Sequence, residues 1–145
     1  MRYNEVVMDH FMNPCNVGAI DDADAIGEIG DDGCGDVVKI YLRIEGGRVQ
    51  AASFETLGCA TSIAASSMAT VLLEHQTWER AALLTAAEIN DALGGLPDDK
   101  KHCAVLAERA VKAALRQYFM KKQIAYNSDA FAIVDDSDAG ERCDF

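Results

Sequence analysis

Residues 38–56 read VKIYLRIEGGRVQAASFET, and this stretch decides the fold. Its first half alternates apolar and polar side chains, which is the period of a half-buried β-strand. The apolar positions are Val38, Ile40, Leu42 and Ile44. Gly46-Gly47 then supplies a two-residue turn, where positive φ costs glycine nothing. We expect a return strand over residues 48–56, anchored by Phe54, with a β-bulge at Ala51-Ala52, where the alternation is interrupted. The two strands would then form an antiparallel hairpin.

Helical periodicity surrounds this hairpin. Five segments show it: residues 3–11 (ended by Pro14), 60–75, 77–84, 86–93 (closed by Gly94-Gly95) and a long last segment beginning near His102. Residues 26–30 predict a short edge strand. The sequence therefore predicts an α+β fold, in which a small antiparallel sheet of about three strands packs against several helices.

The last helix is expected to bury one face and expose the other. The buried face is Ala104, Ala107, Val111, Ala114, Leu115 and Tyr118, and the polar face is Arg109, Lys112 and Arg116. Glu108 and Lys112 lie four residues apart, a spacing that favours an ion pair on a helix.

Composition and charge restrict the function. The chain has 145 residues, half of them hydrophobic, which is enough for one domain with its own core. Thirteen basic residues against 24 acidic ones give a net charge of −11, which disfavours nucleic acids and anionic membranes as partners. Residues 56–73 carry no charge, but their many Ser, Thr and Ala side chains favour a buried helix over a membrane span.

The end of the chain differs from the rest. Residues 123–145 hold six acidic side chains and a single basic one, with sparse and aperiodic apolar residues. We expect one domain over residues 1–122 and a mobile or loosely docked acidic tail over residues 123–145.

Five cysteines, an odd number without a CxxC pair, indicate a reducing compartment, and no signal peptide is expected near Glu5 and Asp9. We therefore expect a cytoplasmic protein. Cys34 lies in a glycine loop before a strand, Cys59 at a strand-to-helix junction and Cys103 at the start of the last helix. Helix N-termini favour thiolates and lower a cysteine pKa. Three such thiolates near one end of a sheet would suit a soft metal.

Several of these residues also have a purely structural interpretation. A single cysteine is more often a small buried hydrophobic residue than a functional one. We assign Cys15 and Cys143 no role, and His10, on an apolar stripe, is interpreted as a packed histidine. Asp36 is either part of the site or simply the start of a strand, with its side chain bonded to a loop amide.

Four motifs resemble the iron–sulfur cluster assembly scaffolds, namely the IscU proteins and the N-terminal domain of NifU. The motifs are GCGD (33–36), ETLGCATSIAASS (55–67), GLPDDKKHCAVLAERA (95–110) and DHFMNPCNVG (9–18). The resemblance covers residues 1–122 and implies the same α+β fold. No cysteine-rich segment like the permanent-cluster domain of full-length NifU follows, which is typical of a stand-alone scaffold.

The resemblance also implies roles for individual residues. Cys34, Cys59 and Cys103 match the cluster ligands, and Cys103 matches the cysteine that accepts sulfur. Asp36 matches the aspartate that influences cluster release and can occupy the fourth position, for which His102 is the other candidate. Lys101 would either steady the anionic cluster or be a solvated surface lysine.

The implied function is a scaffold rather than an enzyme that turns over substrate. It would take sulfur from a cysteine desulfurase and iron from an iron donor, and pass a [2Fe–2S] or derived [4Fe–4S] cluster to apo-proteins. Residues 96–100 read Leu-Pro-Asp-Asp-Lys where the family commonly has Leu-Pro-Pro-Val-Lys, which makes a specialised chaperone partner doubtful.

Two other functions stay open at this stage. Zinc would also suit three cysteines with Asp36 or His102, so zinc is expected in the isolated protein and a zinc-binding thiol protein is an alternative. The other is an electron carrier with a permanent cluster, against which the missing fourth cysteine counts. Whether the active form is a monomer or a homo-oligomer does not follow from the sequence, nor does the choice between an Isc-type and a Nif-type pathway.

Overall fold

The computed structural model of the protein describes residues 3–30, 33 and 35–122. Within these residues one antiparallel sheet has the strand order β1–β2–β3, with β1 at Ala25–Gly30, β2 at Val37–Glu45 and β3 at Arg48–Leu57. The helices are α1 (Glu5–Met12), α2 (Ala60–Leu73), α3 (Trp78–Ala82), α4 (Ala86–Ala92) and α5 (His102–Lys122), and a 3₁₀ turn at Asp98–Lys100 precedes α5. The predicted α+β fold is confirmed.

The β2–β3 hairpin forms as its sequence predicts. Gly46 and Gly47 turn the chain with φ values of 61° and 78°, which glycine adopts without strain. The register shifts after Arg43, because Arg43 lies opposite Ala51 whereas Ile44 lies opposite Val49. The extra residue is Gln50, so the bulge falls one position before the predicted one.

Polar caps set where the helices begin. The Asn4 side chain accepts a hydrogen bond from the Val7 amide at the start of α1, and Thr85 and Glu88 form a capping box at the start of α4. The helix predicted over residues 60–75 ends at Leu73, and His75 adopts a left-handed φ of 68°. This reversal brings the chain back along β3, where the His75 and Val49 backbones are hydrogen bonded.

Helix α5 lies across the sheet at very short range, and Gly27 of β1 makes this possible. A Cβ atom at Gly27 would lie 2.2 Å from the carbonyl oxygen of Ala110 and 2.4 Å from the amide nitrogen of Ala114. Both are backbone atoms, which cannot swing aside as a side chain can. The glycine in β1 and the alanines of α5 together bring helix and strand into backbone contact, which fixes the position of the whole helix.

One prediction about α5 is wrong. Lys112 was placed on the exposed face, but it is only 6% exposed. Its ammonium group lies 2.8 Å from the Glu108 carboxylate, so the predicted pair is confirmed. The other Glu108 oxygen accepts a hydrogen bond from the Ala86 amide at the start of α4. Helix α4 therefore covers a side of α5 that helical periodicity alone assigns to solvent.

The structure also bears on the uncharged stretch at residues 56–73. No helix in the described part of the chain has the length and hydropathy needed to cross a bilayer. Residues 60–73 form α2, which is buried between α1, β3 and α5. The predicted acidic tail at 123–145, including Cys143, lies outside the described residues.

Replacement of Gly27 by alanine should destabilise the protein strongly. Because the new methyl group meets backbone atoms of α5, the helix must shift, and we expect a loss of about 3 kcal/mol in the free energy of unfolding. Urea titration followed by circular dichroism measures it. Gly30→Ala in the same strand is the matched control, since its Cβ would meet Val37 at an ordinary 3.7 Å. Equal midpoints for the two variants would contradict the close packing described here.

Candidate metal centre

Three chain segments meet at one end of the sheet. Asp36 immediately precedes β2, and Val37 pairs with Leu57, the last residue of β3. Cys59 follows two residues later as the N-cap of α2. Cys103 is the second residue of α5. A site built from all three segments exists only when the sheet, α2 and α5 are assembled.

The donor atoms of Asp36, Cys59 and Cys103 form a compact group. All lie within 4.8 Å of one another. The two sulfur atoms are 3.9 Å apart, and the Asp36 Oδ2 atom lies 3.7 Å from the Cys59 sulfur and 4.0 Å from the Cys103 sulfur. Two sulfurs and one carboxylate oxygen at these separations can converge on one metal ion after small side-chain movements.

The Asp36 carboxylate is buried, with 6% of the residue exposed. None of the ion pairs within the described residues involves it. The Ser62 hydroxyl donates a short hydrogen bond to its Oδ2 atom. A buried carboxylate costs free energy unless it is hydrogen bonded, paired or bound to a metal. Among the described residues, the Asp36 side chain contacts the Ser62 hydroxyl and the two sulfurs, not a loop amide.

Thr61 lies between the two thiols. Its hydroxyl oxygen is 3.0 Å from the Cys59 sulfur and 3.2 Å from the Cys103 sulfur, and the residue is fully buried. A single hydroxyl can donate to one sulfur while it accepts from the other. Thr61 thus links the two cysteines without a metal.

The two thiols differ in acidity. Burial acts to raise the pKa of Cys59, but hydrogen bonds from the Thr61 hydroxyl and from the backbone and hydroxyl of Ser62 outweigh it and lower this pKa. Burial raises the pKa of Cys103, and its hydrogen bonds from Ser62 and Thr61 do not offset that effect. A helix start can lower a thiol pKa, but at Cys103 burial outweighs the favourable position.

The other predicted residues lie in different places. The His102 Nε2 atom is 3.7 Å from the Cys103 sulfur, but His102 is not part of the compact donor group. The Lys101 side chain is 55% exposed and pairs with Asp98 at 3.2 Å, as a solvated surface lysine does. Cys34 is outside the described residues.

Cys15 and His10 lie away from this centre. Cys15 is exposed, and its backbone amide donates to the Ser67 hydroxyl, which lies eight residues beyond Cys59, about 12 Å along α2. His10 binds the same hydroxyl through Nδ1 at 2.7 Å. His10 is half-buried and hydrogen bonded to α2, which agrees with its interpretation as a packed histidine.

Residues 2–125 match the family model described as the NifU-like N terminal domain. This chain belongs to that family. The resemblance read from the four sequence motifs is thereby confirmed.

Curated relatives agree over most of the chain. An iron–sulfur cluster assembly scaffold protein IscU of Archaeoglobus fulgidus is 45% identical over 82% of this chain and 78% of its own length. The IscU scaffold proteins of Azotobacter vinelandii and Escherichia coli are 42% and 38% identical, over 84% and 85% of this chain and 98% of each relative.

Solved structures share the fold. A NifU-like protein (N-terminal) from Brucella abortus has a TM-score of 0.65 at 22% identity, covering 83% of this chain and 96% of that one. A putative SufU scaffold from Fervidobacterium islandicum has a TM-score of 0.64 at 24% identity, over 79% and 97% of the two chains. At these identities the match concerns the fold alone.

Sequence reasoning missed the neighbours of the thiols in this NifU-like domain. Gly58, Thr61 and Ser62 all contact the candidate ligands, yet the sequence presents them only as parts of a small-residue helix. A signal was present in the quoted motif LGCATS, because the first turn after an N-cap cysteine points its side chains and amides toward that sulfur. Their contacts with Asp36 and Cys103 depend on tertiary packing, which this pattern does not contain.

The two thiols should differ in reactivity in the metal-free protein. Cys59 is partly exposed and has the lowered pKa, whereas Cys103 is buried. Since the thiolate is the nucleophile, iodoacetamide should modify Cys59 at least about tenfold faster than Cys103. Timed quenching with peptide mass spectrometry measures both rates, with exposed Cys15 as the internal reference. Equal rates would show that the apo-protein opens readily at Cys103.

Proposed function

We propose that this protein is a scaffold on which iron–sulfur clusters are assembled and from which they are transferred to apo-proteins. The observation that carries the proposal is the convergence of Asp36, Cys59 and Cys103 from three separate segments. Family membership and the names of the relatives support it, since several are named cluster assembly scaffold proteins.

A scaffold passes its cluster on, and the proposed ligand set suits a cluster that is bound only for a time. Cys59 and Cys103 supply two thiolates, and Cys34, two residues before Asp36 in the sequence, is proposed as the third. Thiolates are the usual ligands of iron–sulfur clusters. Asp36 is proposed for the fourth position, with His102 as the other candidate. A carboxylate oxygen is a harder ligand than a thiolate, so its bond to sulfide-bound iron is the one most easily exchanged.

Cys103 is the proposed sulfur acceptor. Its thiolate would attack the outer sulfur of a desulfurase persulfide, forming a new S–S bond at Cys103 while the desulfurase cysteine leaves as a thiolate. A reductant partner would then supply the two electrons that release this sulfur as sulfide. Because Cys103 is buried, the docked desulfurase must open the site before the attack.

The proposed partners are a cysteine desulfurase, an iron donor and apo-proteins, in the cytoplasm. A [2Fe–2S] cluster is the proposed product, with [4Fe–4S] as a derived form. The chain would supply ligands and a docking surface rather than turnover catalysis, although the relative from Drosophila melanogaster is named an assembly enzyme. Asp98 and Asp99, in the 3₁₀ turn, stand where the family's chaperone-binding segment commonly has Pro and Val, so a specialised chaperone is doubtful as a partner.

Zinc binding is a second candidate that the same donor group favours. Zinc accepts thiolate and carboxylate ligands in a tetrahedral arrangement. Zinc in the isolated protein would therefore not contradict the scaffold. A protein that binds zinc but never builds a coloured cluster would be a zinc-binding thiol protein instead.

Serine substitution of the ligand cysteines should abolish cluster retention. We expect Cys34→Ser, Cys59→Ser and Cys103→Ser each to retain less than about a tenth of the wild-type cluster, because a hydroxyl is a poor ligand for a soft site. Cys15→Ser and Cys143→Ser are matched controls outside the proposed ligand set. The test is anaerobic reconstitution with iron, cysteine and a desulfurase, followed by visible absorption and transfer to apo-ferredoxin.

Each outcome of the reconstitution separates the alternatives. No visible chromophore in the wild type would contradict the scaffold and leave zinc binding. A chromophore that is never transferred would indicate an electron carrier. Full retention in one ligand variant would remove that cysteine from the proposed set.

Asp36→Ala should make the bound cluster several-fold longer-lived in air and slow its transfer. The carboxylate is the exchangeable ligand, so its loss removes a route by which water or an incoming thiolate reaches the iron. The decay of visible absorption and the transfer rate are compared with wild type at equal loading. If Asp36 were only a structural turn residue, the variant would lose some thermal stability and show the wild-type decay rate.

A further inference from the structure

The Asp36 carboxylate packs against residues of one short motif. An added Cβ at Gly58 would lie 2.8 Å from both Cγ and Oδ1 of Asp36 and 3.0 Å from the Ser62 hydroxyl oxygen, so Gly58 leaves the space that the carboxylate occupies. The Ser62 hydroxyl donates to Oδ2. We call Asp36, Gly58 and Ser62 the Asp36 clamp. Gly58 and Ser62 lie on either side of Cys59 in the sequence, so the segment that supplies a thiolate also positions the carboxylate.

The Ser62 hydroxyl has its shortest hydrogen bond to the Asp36 carboxylate. Ser62 is 1% exposed on α2, and its oxygen also lies 3.5 Å from the Cys103 sulfur and 3.7 Å from the Cys59 sulfur. It therefore lies among all three donor atoms, and the carboxylate is the nearest of them. A hydrogen bond from a neighbour is the usual way in which a metal-binding carboxylate is oriented.

Gly58 is needed for space rather than for backbone conformation. It is absent from the glycines with positive φ, so alanine is conformationally acceptable there. The atoms that its Cβ would meet belong to the Asp36 and Ser62 side chains. An alanine would therefore displace the carboxylate while it leaves the strand and helix in place.

We propose that Ser62 is a positioning residue for Asp36, and that it acts with Gly58 to aim the Oδ2 atom at a metal shared with Cys59 and Cys103. The inference rests on the proposed function in one respect, since it takes Asp36, Cys59 and Cys103 as the metal-binding site. Ser62 does not bind the metal itself. Without its hydroxyl the carboxylate is free to rotate away from the two sulfurs, so the metal loses its oxygen ligand.

The test is cobalt(II) binding by the full chain, anaerobically and in reducing buffer. Cobalt(II) can bind thiolate and carboxylate ligands together, so the carboxylate contributes to its affinity, and its visible spectrum reports the ligand set. We expect Ser62→Ala to weaken binding about 10- to 100-fold and to alter the d–d bands. Gly58→Ala should act in the same direction.

A double-mutant cycle distinguishes positioning from general damage to the fold. In an Asp36→Ala background, Ser62→Ala should weaken cobalt binding much less than in the wild type, because only its longer contacts with the two sulfurs, at 3.5 and 3.7 Å, remain. Ser66→Ala is the matched control, since Ser66 is buried one turn further along α2 and its hydroxyl has no recorded partner among the described residues. Thermal unfolding of each variant verifies that it folds.

The proposal is overturned if Ser62→Ala leaves cobalt binding unchanged, if it weakens binding equally without Asp36, or if Ser66→Ala has the same effect. Failure of the scaffold function would look different. Cobalt binding needs neither sulfur nor a desulfurase, so a protein that shows the coupling but builds no cluster contradicts only the proposed function. A protein that builds clusters without the coupling contradicts only the Asp36 clamp.

Discussion

The backbone contact between α5 and β1 at Gly27 is the constraint on which the candidate site depends. Cys103 belongs to the first turn of α5, and the helix is a rigid body, so its position on the sheet determines where that sulfur lies. The sheet in turn places Asp36 and the start of α2 at the same end, through the pairing of Val37 with Leu57. The 3.9 Å separation of the two sulfurs is therefore set by a contact some two helical turns away.

Helix α2 explains how a polar site can lie in a small hydrophobic domain. Its buried hydroxyl groups are nearly all hydrogen bonded, as buried polar groups usually are. Thr61 and Ser62 bind the thiols and Asp36, whereas Ser67 and Thr70 bind the α1 region through His10 and Asn16. One helix thus joins the metal centre to the N-terminal segment. Buried polar networks of this kind specify one arrangement, and a missing partner is costly.

The sequence predicts the fold well because its signals are local. The alternation in residues 38–45, the Gly46-Gly47 turn and the helix caps act over a few residues, so the hairpin and helix bounds fall within about two residues of those observed. The positions of Cys59 and Cys103 at helix starts and the family motifs also predict a shared site, and the structure brings their sulfurs within 3.9 Å. Contacts between elements do not follow from such patterns. Lys112 is buried, and the Glu108 carboxylate with which it pairs accepts a hydrogen bond from the start of α4. Burial raises the pKa of Cys103, against the lowering that a helix start favours. Nothing within the α5 sequence encodes either effect.

The interactions of the Asp36 carboxylate would affect both the stability of the apo-protein and the release of a bound metal. A buried carboxylate without an ionic partner in the described region is held by one hydroxyl and two weakly donating thiols, which is much less than a cation would provide. A bound metal would neutralise the Asp36 carboxylate. When the metal leaves, the carboxylate would be hydrogen bonded to Ser62 rather than to water. Without metal, Ser62 is therefore a ready partner for Asp36, the proposed oxygen ligand, and Thr61 is one for the two thiols. Ligands that have partners both with and without metal lower the free-energy difference between the loaded and empty states. A protein that must both build and surrender a cluster benefits from a small difference, and four thiolates without such partners would make it large.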